Sequence, residues 1–146
     1  MNKNFFITTV AAGIALFALG ALFYAVLLAD FFEAAAGVDG LYKDPPDFLY
    51  LVLGELFTAA TITLVVVTWA GAGDFMAGLK TGATFGLLIG IGFALTWYAT
   101  SYIGTLESTS VDVAVTVVRF GITGGVAALV MGKLSGSDDT TETSAE

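Results

Sequence analysis

Residues 48–69 read Phe-Leu-Tyr-Leu-Val-Leu-Gly-Glu-Leu-Phe-Thr-Ala-Ala-Thr-Ile-Thr-Leu-Val-Val-Val-Thr-Trp, a continuous apolar run broken by one charge, Glu55. At 1.5 Å per residue a helix of this length covers about 33 Å, enough for an apolar bilayer core about 30 Å thick. Three more stretches pass the same test. Residues 5–29 and about 81–102 carry no charge, and residues 113–132 carry only Arg119. Because the runs are continuous and do not alternate every second residue, helices are expected and a membrane barrel is not. The expected fold is all-α: an integral membrane four-helix bundle filling residues 1–134.

Composition leads to the same solvent. The chain has 146 residues, 57% of them apolar and 12% charged, with a mean hydropathy of +0.89. A soluble domain carries roughly twice that fraction of charge and could not cover its surface with so little. His and Cys are both absent. Their absence removes thiolate nucleophiles, disulfides, imidazole bases, the usual zinc sites and His-ligated haem. No pair of Asp residues falls inside an apolar run to serve as an aspartic dyad. The sequence therefore points to no catalytic residue, no metal and no cofactor.

Lys3, the first apolar run and Ala18-Leu19-Gly20 have the outline of a cleavable leader, but leader cores span only about 7–15 residues and this run continues to Asp30. It is read as a retained span. An even number of spans then puts both termini on one side. Lys3, Lys80 and Lys133 share that side against Lys43 on the other, so the positive-inside rule expects the termini in the cytoplasm and the protein in the inner membrane. The opposite loops hold Asp30, Glu33, Asp39, Asp44, Asp47, Glu107 and Asp112, and much of the net charge of −8 falls there or in the tail. That sign argues against nucleic acid as a partner. Pro45-Pro46 forbids helix just before the second span. Gly71-Ala72-Gly73-Asp74 reads as a tight turn, and residues 135–146, nearly all small, polar or acidic, as a disordered tail.

Two features within the spans stand out. Gly78, Gly82, Gly86 and Gly90 recur every fourth residue, three overlapping GxxxG pairs on one helix face. In lipid, close backbone approach is one of the main forces available between helices, so this face is read as a packing surface, toward another span or another copy of the chain. Glu55 and Arg119 are the ionisable residues well inside spans. Counted from Asp47 and Asp112, they lie about 12 Å and about 10.5 Å along helices that run in the same sense. An unpaired Arg at the bilayer centre costs roughly 2.5–3.5 kcal/mol on insertion scales, so an ion pair at matching depth is expected. Thr116 and Thr123 share the Arg119 stripe with Asp112, and Thr58 shares that of Glu55, which together make a polar lining. Arg119 reaching instead toward Asp112 or Glu107 is the other arrangement open to it.

Residues 20–28, Gly-Ala-Leu-Phe-Tyr-Ala-Val-Leu-Leu, and the following stretch to Gly37 resemble a family of uncharacterised small four-span bacterial membrane proteins, a domain of unknown function. Such proteins carry a Trp-Tyr pair late in the first helix, then Ser-Pro-Leu, a second Trp and a Gly. Here Phe23-Tyr24 stands at the pair, Ala25-Val26 replaces Ser-Pro, and Phe32 replaces the second Trp. The resemblance implies an architecture and no substrate. Two functional readings follow. One is a structural or interaction bundle, with lipid and a homo-oligomeric copy as its partners. The other is a small channel or carrier in which Glu55 and Arg119 line the path of a small solute.

Overall fold

The structure, a computed structural model, describes residues 3–38 and 40–142, side chains at 137–142 excepted. Five helices and no strand are found among the described residues. Helix α1 covers Lys3–Leu27, α3 covers Phe48–Trp69, α4 covers Phe75–Thr100 and α5 covers Leu106–Glu142. These four are long and apolar enough to cross a membrane. The fifth, α2 at Ala29–Ala36, is a short turn-back that ends on Gly37, whose φ of +66° suits a residue without a Cβ. Two helices end in a wider π-turn, α1 over Ala21–Leu27 and α3 over Leu64–Trp69.

Helix ends follow side-chain caps more closely than the edges of the apolar runs. The third span was expected from about residue 81, but α4 starts at Phe75. Asp74 Oδ1 accepts from the backbone N–H groups of Met76 and Ala77 at 2.9 and 3.0 Å, capping the first turn. The fourth span was expected from residue 113, but α5 starts at Leu106. There the Ser108 hydroxyl accepts from the Thr105 N–H at 2.9 Å while Thr105 Oγ1 accepts from the Ser108 N–H at 3.1 Å, a reciprocal box. At its far end helix α5 runs on to Glu142, through the first residues of the stretch read as a tail. No proline interrupts it, and a helix nucleated in the apolar span extends at one hydrogen bond per residue. Asp39 of the expected acidic loop and residues 143–146 of the tail lie outside the described residues.

Successive spans run antiparallel, as their facing residues show. Gly13 of α1 lies against Leu56 and Ala59 of α3, and Gly20 lies against Arg119 of α5. On α4, Gly78 faces Gly124 and Ala128 while Gly86 faces Phe120 and Thr116. Helix α5 occupies the middle, with 39% of its apolar window buried against 11% for α4. Its residues Gly121, Gly124, Gly125, Ala127 and Ala128 are small and buried, which lets the neighbours come close. The apolar core gathers Ala12, Leu16, Ala59, Ile62, Val66, Ala127 and Ala128. Large apolar side chains such as Val26, Phe57, Leu88 and Phe93 point outward, as lipid-facing residues should.

Candidate polar site within the bundle

The site is centred on Arg119, on the face of α5 turned toward α1 and α3. Its Nη2 donates to Glu55 Oε1 of α3 at 2.6 Å, a charge-assisted bond, and to the Leu16 carbonyl of α1 at 3.2 Å. The side chains of Arg119 and Glu55 are 11% and 18% exposed, so the pair is largely enclosed by the helices. The guanidinium carbon lies 5.3 Å from the centroid of the Tyr24 ring, within cation–π range. Tyr24 in turn donates its hydroxyl to Asp112 Oδ1 at 2.6 Å. Four side chains from three helices thus form one network running from Asp112 through Tyr24 and Arg119 to Glu55.

Local sequence explains how these groups meet. Asp112 and Arg119 are seven residues apart, two turns along one face of α5, so both turn toward α1. Gly20 lies where the guanidinium passes. A Cβ there would sit 2.8 Å from Arg119 Nη2 and 3.4 Å from Glu55 Oε1, so a bare backbone at this position makes room for the pair. Tyr24 is one turn further on, inside the π-turn Ala21–Leu27, and its ring also packs 5.5 Å from Phe32 of α2. Wider turns of this kind recur at functional positions in helices.

The remaining residues of the expected lining divide. Thr58 returns its hydroxyl to the Gly54 carbonyl at 2.9 Å and takes no part in the network. Thr116 stays beside the network, its side chain in hydrogen-bonding contact with Tyr24, while its Cγ2 lies 3.5 Å from where a Gly90 Cβ would be. Thr123 is wholly buried, one turn along α5 from Arg119, and its Oγ1 has no hydrogen-bond partner. The glycine face of α4 packs within the chain: a Cβ on Gly78 or Gly82 would overlap the carbonyl oxygen of Gly124 or Phe120. Gly90, further along, has ordinary clearance from Thr116 and Val113.

Sequence reasoning put Asp112 on the Arg119 stripe but not as the acceptor of Tyr24, and did not place Gly20 at the site. Asp112 was read as the start of a stripe and a rival partner for Arg119, yet it accepts from Tyr24. The available signal was that Tyr24, deep in an apolar run, needs an acceptor. Gly20 carried a weaker signal, since a glycine one turn from Leu16 and from Tyr24 marks a backbone open to close approach. Among the described residues no three His, Cys, Asp or Glu side chains cluster as a metal site would require. No protein-family model, no curated protein and no solved structure matches the chain, so the geometry carries the functional reading.

Proposed function

We propose that this chain is a multi-pass protein of a bacterial inner membrane, with cytoplasmic termini, that acts as a structural or interaction bundle and not as an enzyme. The observation that carries the reading is the occupancy of the Arg119 guanidinium. It meets a carboxylate at 2.6 Å, a carbonyl at 3.2 Å and an aromatic face at 5.3 Å, all from its own chain. A cation so enclosed holds three helices in register and leaves its Glu55-facing edge closed to an anionic solute. The antiparallel order of the spans supports termini on one side, and the Lys distribution supports the cytoplasmic side. Kinship with the small four-span family that residues 20–37 resemble is part of the proposal. It is supported at the level of architecture by the four apolar helices, and it names no substrate.

A carrier or channel is the second reading, and the buried network of Asp112, Tyr24, Arg119 and Glu55 is what favours it, because ionisable groups inside membranes commonly mark transport paths. Solute flux from proteoliposomes separates the two. A scaffold leaves vesicles sealed to common ions with either wild type or Glu55→Gln. Flux through the wild type that falls with Glu55→Gln overturns the scaffold and installs the carrier.

A further inference from the structure

Threonines in membrane helices usually return their hydroxyl to the carbonyl one turn earlier. Thr58, Thr61, Thr84, Thr96 and Thr109 do so at 2.8–3.0 Å. Thr8, Thr63 and Thr123 do not. Each is wholly buried, and each Oγ1 is without a hydrogen-bond partner. Arg119 Nε, one turn from Thr123 on the same helix, is likewise buried and unpartnered.

The three hydroxyls lie at nearly one height, apart from the guanidinium, which reaches Leu16 and Gly20 further along α1. From the facing pair Gly13 and Ala59, Thr8 is about 7.5 Å and Thr63 about 6 Å further toward the Gly73 end, at 1.5 Å per residue. From the facing pair Val66 and Gly124, Thr63 and Thr123 stand about 4.5 Å and about 1.5 Å back. The three hydroxyls therefore share a level to within about 3 Å. They come from α1, α3 and α5, on the buried faces that also carry Ala12, Leu16, Ala59, Ile62 and Ala127. Hydroxyls buried in apolar surroundings without partners are costly, and three at one level invite a shared one.

We propose that Thr8, Thr63 and Thr123 share ordered water, a hydration site inside the bundle on the Gly73 side of the Asp112–Tyr24–Arg119–Glu55 network. Water fits this set better than an ion. Hydroxyls both donate and accept, and a buried water typically makes about three bonds to such groups. Neutral hydroxyls also bring no formal charge to balance an ion. With the water in place, polar groups continue from Asp112 to Thr123, about 16.5 Å of a core about 30 Å thick. The inference does not depend on whether the bundle is a scaffold or a carrier.

Water-edited solid-state NMR of the full chain in lipid bilayers tests it, reading polarisation transfer from water protons to side-chain methyls. The signals of Thr8, Thr63 and Thr123 are expected to build up ahead of Ile62 and Ala127, their dry neighbours. A build-up no faster than theirs overturns the site. Thr63→Val keeps the shape and removes the hydroxyl, so it should slow build-up at Thr8 and Thr123 about two-fold, as the water loses one of about three anchors. Thr63→Ser should keep the wild-type rate. Unchanged build-up at Thr8 and Thr123 in Thr63→Val means three separate hydroxyls and overturns a shared site.

Discussion

Arg119 is stable in a place where an arginine alone would not be. Its partners repay the desolvation of the guanidinium only if they hold their geometry, and removing one orphans the other. Glu55→Ala or Arg119→Ala is expected to destabilise the bundle, by about 3–5 kcal/mol at most. Removing both should cost less than the sum, because the contact at 2.6 Å is lost only once. Strict additivity in a double-mutant cycle, measured by unfolding in detergent or bilayer, would contradict that coupling. Tyr24→Phe leaves the half-buried Asp112 carboxylate without its phenolic donor, for a loss of about 1 kcal/mol in the same assay. The depth of each charge can be counted along the chain, and so can the need of Tyr24 for an acceptor. Which acceptor Tyr24 finds cannot be counted. The structure gives Asp112 to Tyr24, which stands on the wide turn Ala21–Leu27, and gives Arg119 to Glu55 past the bare backbone of Gly20.

At the scale of elements, the hairpin of α4 and α5 is a seam in which backbone meets backbone. Gly82→Ala would drive a methyl into the Phe120 carbonyl, which cannot swing aside as a side chain does, so a loss of about 1–3 kcal/mol is expected. Gly92, on the same helix, has open space around its Cβ position. Gly92→Ala should therefore be neutral or stabilise by up to about 1 kcal/mol, since alanine is the better helix former. Thermal or denaturant midpoints of the two variants side by side check the contrast, and equal effects would mean that the seam is not tight. The helix ends belong to this scale too. Asp74→Ala removes the acceptor of two backbone N–H groups and should cost about 1 kcal/mol. Apolar runs show where a helix is greasy, whereas polar caps at Asp74 and Thr105–Ser108 show where it begins. This is why the two downstream spans start before their apolar runs do.

Across the whole molecule, the outward apolar surface and the inward polar network divide the chain between two solvents, lipid outside and its own polar groups within. Because the chain has no cysteine, single introduced thiols report its topology without background. In intact cells, Tyr42→Cys in the α2–α3 connection should react with an impermeant maleimide from outside. Ser135→Cys on the last helix should react only after permeabilisation. The reverse pattern would invert the orientation, and labelling of both from one side would contradict four crossings.

The sequence by itself determined the solvent, the number of spans and the depth of each charge, because these depend on length, hydropathy and counting along single helices. Tertiary structure alone decided which faces meet. Lipid offers no hydrophobic drive to select a neighbour, so the choice rests on sub-ångström fit: small residues on α5, a glycine beside a guanidinium, a carbonyl against a bare Cα. Such fits form between residues far apart in sequence, as with Tyr24 and Asp112 or Leu16 and Arg119, and no local pattern along one helix encodes the side chain that another helix will present.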